Sequence, residues 1–352
     1  MNQRSTITFR FREATAAHIL CLIMALVGVI MLSTGLGYIK IPVAAVAKII
    51  ATKISGNLGF LEGLDEILPV VVLDVRLPRI LTAALVGGGL AMCGVVFQSI
   101  LLNPLADPYT LGVSAGAAFG ASLAILLNIH FLGTYSIPLF AFVGAACTLL
   151  AVIYLSSSGE GWSSNNLILS GIIVAAILSA GISFLKYIAD EQVAVIIFWL
   201  MGSFGSKTWA DVALTLVFIA LGLMVFMYYS RDLNLMSLGN RTASSLGVET
   251  RKVTLILLST ASLVAAICVS VSGIIGFVGL LVPHMMRLIT GPDNRRLVPV
   301  AMLSGGILLL CADTITRAVL PSEIPIGVLT ALIGGPFFCY IFWKQQKTRK
   351  IL

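Results

Sequence analysis

The sequence predicts an all-α polytopic membrane protein with about ten transmembrane helices, and three observations carry that prediction. The 352 residues are 59% hydrophobic and only 11% charged, with a mean hydropathy of +1.05. Soluble domains carry about 25% charged residues, and one soluble core could not bury the apolar excess seen here. Apolar stretches of roughly 20 residues, the length a helix needs to cross the hydrocarbon layer, recur along the chain. Between them lie compact polar knots that hold charge beside proline or glycine, most densely over 273–338.

Ten spans follow, near 16–37, 78–100, 109–128, 134–155, 166–187, 209–229, 252–271, 274–290, 298–318 and 325–343. They form a single membrane domain over 1–352. The first span lies behind Arg4, Arg10 and Arg12. No small-x-small cleavage site precedes the polar loop, so it reads as a retained helix. Residues 38–75 form the first outside connection, with Pro42, Gly56, Asn57, Gly63 and the acidic trio Glu62, Asp65 and Glu66. Within it, 43–54 alternates well enough for a short interfacial helix. Pro78 opens the second span between Arg76 and Arg79, where a proline is tolerated because the first helical N–H groups lack partners.

The second span and the start of the third concentrate glycine at Gly87, Gly88, Gly89, Gly94, Gly112, Gly116 and Gly120. In lipid such residues let helices approach closely. The knot Asn103-Pro104-Leu105-Ala106-Asp107-Pro108 between these spans reads either as a structural turn or as the border of a gate. Its prolines fix the turn, and Asn103 and Asp107 can bond free backbone groups. Residues 190–205 are apolar but broken by Met201-Gly202-Ser203 and Gly205, which suits half a span or a folded-back loop helix. Residues 230–251 form the main inside connection, where 243–246 lies between Gly239 and Gly247, each able to end a helical turn. A short helix there would suit docking of a soluble partner, the alternative being a solvated linker.

Charge orients the layout. With the N-terminus inside, fourteen of the twenty-two basic residues fall on inside segments and eight outside. This agrees with the positive-inside rule and puts both termini in the cytoplasm. The net charge of +7 is ordinary for helix-flanking basic residues, and no concentrated patch suggests nucleic-acid binding. The six cysteines lie singly inside apolar stretches, as small buried side chains without metal-ligand spacing. No GxxxxGK[ST] motif is present, so the chain has no nucleotide site of its own and no catalytic motif.

Arg76 and Arg79 either face outward, ready to pair with carboxylates, or snorkel to lipid phosphate. Asp313 and Arg317 are four apart and can share a helical face, as an ion pair or with Arg317 joining the other two arginines on an outer surface. Glu323, beside Pro325, could cap or pair there. His284 reads as structural or as part of a cytoplasmic docking surface, the alternative being a proton relay or metal ligand. No Asp/Glu pair lies deep within a span, which weighs against an ion-coupled secondary carrier.

Across about residues 20–343 these motifs resemble the FecCD (BtuC-like) permease family of bacterial ABC importers for ferric siderophores, haem and vitamin B12. The matching segments are RLPR at 76–79, GGGLAMCGVVFQ at 87–98, NPLADPYTLGVSAG at 103–116 and WLMGS at 199–203. To these add LG at 238–239, GFVGLLVPHMMR at 276–287, GPDNRRLVP at 291–299, ADTITR at 312–317 and PSEIPIGVLTALIGGPFF at 321–338. Leu102 departs from the pattern, since relatives often carry arginine before NPLA. The resemblance implies a type II importer permease in the bacterial inner membrane, paired with a second copy of itself. It also implies two cytoplasmic ATPase subunits that use ATP and Mg, one periplasmic binding protein, and no cofactor held by this chain. By motif position, Arg76, Arg79 and Arg317 would meet acidic residues of the binding protein. Ser237, Leu238, Gly239, Ala243, Ser244, Leu246 and Gly247 would couple to the ATPase. The cargo it implies first is a ferric siderophore, with haem and vitamin B12 as alternatives.

Overall fold

The computed structural model describes residues 3–37, 39–157, 164–318 and 323–349. Tyr38, Pro321 and Lys350, which the sequence reading used, lie outside them. The described residues are helical throughout, in fifteen α-helices and a few single turns.

Helix α1 (Gln3–Gly35) is followed by α2 (Val43–Ser55), the short interfacial helix expected over 43–54. Pro42 precedes α2, and Gly56 ends it at φ 71°, a left-handed conformation that glycine adopts without steric cost. The inner face of α2, with Ala45, Val46 and Ile49, packs on Val72 and Leu77.

Helix α3 (Ile67–Val70) runs through a wider π-helical turn at Val71–Arg76 into α4 (Leu77–Ile100). Together they make one continuous 34-residue rod, Ile67–Ile100. The outside connection therefore ends near 66, and Pro78 lies inside a rod instead of opening one. The physical reason is the wide turn, in which the Leu77 N–H reaches the Val72 carbonyl five residues back. Loosening the ladder there accommodates the missing proline donor and its ring.

The remaining helices are α5 (Val113–Leu126), α6 (Ser136–Ser156), α7 (Ser164–Ile188), α8 (Val193–Leu200), α9 (Trp209–Tyr228), α10 (Ser230–Met236), α11 (Asn240–Ser245), α12 (Thr250–Ser272), α13 (Val278–Thr290), α14 (Asn294–Ala318) and α15 (Ile326–Arg349). Local chemistry marks several boundaries. Gly112 enters α5 at φ 75°. Thr208 and Asp211 form a reciprocal capping box at the start of α9, which satisfies two orphan donors.

Seven helices are long and apolar enough to cross a membrane, and α5, α13 and 326–340 of α15 are shorter apolar helices. Contacts at the helix ends set α1, α4, α9 and α14 between two ends of one bundle. Arg76 and Arg317 meet the end of α1, whereas Ser99 and Asn234 meet the start of α14. We call these the clamp end and the basic end. Residues 190–205 supply only the eight-residue α8, whose exit is pinned by Ser203 N–H to Ser272 O and Gly327 N–H to Met201 O.

Helix α4 is the axis of the bundle, with 83% of its most apolar window buried, against 6% for α1. The glycines expected to allow close packing do so: a Cβ on Gly87 would stand 2.3 Å from Gly305 O of α14, and one on Gly94 only 1.8 Å from Gly279 O of α13. Of the cysteines, Cys93 and Cys268 are buried as expected. Cys21, Cys147 and Cys339 are exposed on the isolated chain, and all six are free.

Candidate functional site

At the clamp end the three sequence-selected arginines converge. The end of α1 leaves carbonyl groups without intrahelical donors, and guanidinium forks supply them. Arg76, 6% exposed, donates to Thr34 O at 2.6 Å and to Ile39 O. Arg317 donates to Ser33 O at 2.8 Å and to Leu36 O. The two forks meet over Gly37, where a Cβ would lie 2.9 Å from both.

Arg79 turns to carboxylates instead. Its Nη2 is 2.9 Å from Asp313 Oδ1 and its Nη1 3.2 Å from Glu323. Asp313, almost fully buried, also lies 3.9 Å from Arg317 Nε. Thus Asp313 serves two guanidiniums, and the Asp313–Arg317 pairing read from their four-residue spacing is present. Glu323 pairs at the same surface and is 56% exposed. Of the two readings left open for Arg76, outward pairing or snorkelling to lipid, the structure shows neither, since its guanidinium donates to backbone carbonyls of its own chain; Arg317 donates to carbonyls as well and keeps the ion pair with Asp313. Sequence spacing could not reveal this, because the acceptors lie 37 to 42 residues from Arg76 and more than 280 from Arg317.

The basic end contains the other predicted residues. In the turn after α4, Asn103 Oδ1 accepts from Leu105 N–H, and Asp107 Oδ1 accepts from Tyr109 N–H and Thr110 Oγ1–H. Burial pushes the Asp107 carboxyl above its usual range, although these hydrogen bonds oppose the shift. Pro104 is exposed beside them. The turn is thus held by its own side chains, as its residue types suggested. Leu102, just before it, adopts a left-handed φ of 51°.

The connection after α9 folds into α10 and α11, with Gly239 and Gly247 flanking α11 at φ 103° and 90°. Ser237, Leu238, Ser244, Leu246 and Gly247 are exposed, Gly239 is half-buried, and Ala243 is fully buried. Ala243 therefore anchors the segment to the core and presents nothing to a partner. Three residues missed in the sequence fix its position. Asn234 Nδ2 donates to Asp293 Oδ1 at 2.7 Å, Asn234 Oδ1 accepts from Asn294 N–H at 2.8 Å, and Asn294 Oδ1 lies 3.2 Å from Ser99 Oγ. The Asp293-Asn294 pair before a long apolar run was a readable helix-start signal, but nothing in the spacing pointed to Asn234.

Between the 102–104 turn, the 237–239 segment and α13 lies a cavity of about 390 Å³ lined in part by Gln98 and Arg287. No group of His, Cys, Asp or Glu suited to a metal ion occurs among the described residues.

A sequence profile of the FecCD transport family matches residues 22–344. The cobalamin import permease BtuC of Halobacterium salinarum is 41% identical, over 81% of this chain and 76% of its own length. The molybdate import permease MolB of Haemophilus influenzae is 37% identical over 93% and 95%. The Fe(3+)-citrate import permease YfmE of Bacillus subtilis is 36% identical over 94% and 95%. Among solved structures, a putative metal-chelate type ABC transporter in an inward-facing conformation superposes with a TM-score of 0.81 at 34% identity, covering 93% of this chain and 98% of that one.

Proposed function

This chain belongs to the FecCD transport family and is the non-catalytic permease subunit of an ABC importer, and on that premise we propose that it carries a ferric siderophore inward across the bacterial inner membrane. A partner ATPase uses the ATP. Family membership over 22–344 is the observation that carries the reading. The cargo assignment draws support from the Fe(3+)-citrate permease, similar over 94% of this chain, and from the metal-chelate type transporter structure. The cobalamin and molybdate permeases make those two cargoes the competing outcomes.

In this reading both termini and the basic end are cytoplasmic, in keeping with fourteen of twenty-two basic residues on that side. Two copies of the chain pair around the path, two ATPase subunits engage the basic end, and one periplasmic binding protein engages the clamp end. Of the three arginines, we assign the direct encounter with the binding protein's acidic residues to Arg79, because its partner Glu323 is itself solvent-facing. Arg76 and Arg317 hold the surface on which that encounter takes place. Exposed Leu238, Ser244 and Leu246 receive the ATPase's motion, and the Asn103–Asp107 turn passes it to α4 and α5.

Proteoliposomes containing this chain with its ATPase and binding protein provide the test, using ferric siderophores, haem, cobalamin and molybdate in parallel. ATP-dependent ferric siderophore uptake is expected. Uptake of cobalamin, haem or molybdate alone overturns the cargo assignment. Flux driven by an ion gradient without ATPase overturns the importer reading.

A further inference from the structure

The cavity at the basic end has a charge problem that the chain does not solve internally. Arg287 lines it, yet Nη2 of this residue is buried without a hydrogen-bond partner. None of the ion pairs among the described residues includes it. A guanidinium stays charged at any physiological pH, so it cannot relieve the cost of burial by neutralising. Gln98, which also lines it, is 4% exposed. Its Nε2 donates to Leu280 O at 3.1 Å, which leaves Oε1 buried and unpartnered. A half-buried guanidinium with a buried, unpartnered Nη2 and a buried unpaired acceptor in one cavity are costly unless something enters to satisfy both.

The mouth is open, rimmed by Leu102 and Leu238, which are 48% and 65% exposed. Residues 230–252 and 287–296 around it carry seven Arg or Lys against three Asp or Glu. The entrant is therefore anionic. It must also offer a donor to Gln98 Oε1. A peptide segment supplies a carboxylate and a backbone N–H together, whereas a phosphodiester presents only acceptor oxygens at its charged group.

We propose that this cavity receives an acidic side chain of the cytoplasmic ATPase, whose carboxylate pairs with Arg287 while a neighbouring N–H of the same segment donates to Gln98 Oε1. The inference rests on the importer reading and on the basic end being cytoplasmic. It locks the ATPase to α13 and to the end of α4 at once, beside the Ser237–Gly239 wall, so that ATPase movement reaches two spans through one ion pair.

The test titrates purified ATPase onto the reconstituted permease in nanodiscs of zwitterionic lipid, and again with an anionic lipid fraction. Failure of the unaltered permease to bind ATPase refutes the importer reading itself and this inference with it. Given that binding, Arg287→Gln should weaken ATPase affinity about tenfold or more, the scale of one charge-assisted contact. It should also flatten the salt dependence. Arg287→Lys should recover part of the loss, and Arg287→Glu should be rescued by one Asp or Glu to Lys exchange in the ATPase. Unchanged affinity in Arg287→Gln overturns the proposal, whether or not the melting temperature moves. A loss confined to anionic discs assigns the cavity to a lipid headgroup and also overturns it. If Arg287 variants do not fold, Leu102→Arg and Leu102→Glu at the exposed mouth should shift affinity in opposite directions by about threefold, by surface charge attraction. Absent or same-sign shifts overturn the proposal equally.

Discussion

The two ends of the bundle hold guanidinium groups in opposite ways. At the clamp end Arg76, Arg79 and Arg317 all find acceptors within the chain: helix-end carbonyls of α1, the buried Asp313 and the half-exposed Glu323, and Arg317 Nε, which makes no hydrogen bond, still has Asp313 as its ion-pair partner at 3.9 Å. At the basic end Arg287 lines an open cavity with an unpaired amino group. The first end is electrostatically closed and fixes how α1, with little buried surface of its own, attaches to α4 and α14. The second end leaves Arg287 Nη2 and Gln98 Oε1 without partners among the described residues. The clamp end thus satisfies its charges internally before any partner arrives, whereas the open charge at the basic end is the one the proposal above gives to the ATPase.

The strongest way to break this comparison is to remove the shared counterion. Asp313→Asn leaves two poorly exposed guanidiniums without it, and breaking such a buried pair costs about 3–5 kcal/mol. A matching loss of thermal stability in nanodiscs is expected, and a wild-type melting temperature would refute the closed-end account. Gly37→Ala comes next. Its Cβ would press on both arginine forks, an overpacking cost of about 1–3 kcal/mol that should also raise protease access at the end of α1.

Glu323→Gln should cost only about 0–1 kcal/mol, because its side of the pair is more than half exposed and solvent-screened. A loss as large as that of Asp313→Asn would erase the distinction between inner and outer carboxylate. Arg287→Gln should leave the melting temperature unchanged or slightly raised, the opposite sign to Arg317→Gln, because it removes a half-buried charge that has no ion-pair partner among the described residues.

The smallest effect is at Asp107. Its carboxyl is raised by burial, so the folded state binds a proton more readily than the unfolded one. Its stabilising contribution is thus present at low pH and is lost as pH rises through the folded value. Relative to Asp107→Asn, the wild-type protein should gain stability as pH falls from 7 towards 4. A difference in melting temperature that stays constant with pH would contradict this.

Much of this was legible in the chain itself. Hydrophobic length located a helix in each of the ten stretches, seven of them long and apolar enough to span, usually within four residues at the start, and residue types announced the α2 helix, the Asn103–Asp107 turn and the glycine contacts. The start of the second span was misplaced by eleven residues, because Asp74, Arg76 and Pro78 look like a loop to any local rule. Only packing against α2 and the wide turn at Val71–Arg76 keep that stretch helical. The Asp313–Arg317 pair was readable from its four-residue spacing, whereas the Arg79–Asp313 contact spans 234 residues and was not.

By itself the sequence determined membrane residence, the places of the apolar helices and the family motifs, because hydrophobic length and local turn chemistry act within a few tens of residues. Only the tertiary structure decided which arginines are consumed and which is left open, since a guanidinium's fate depends on the carbonyls and carboxylates that distant helices bring to it.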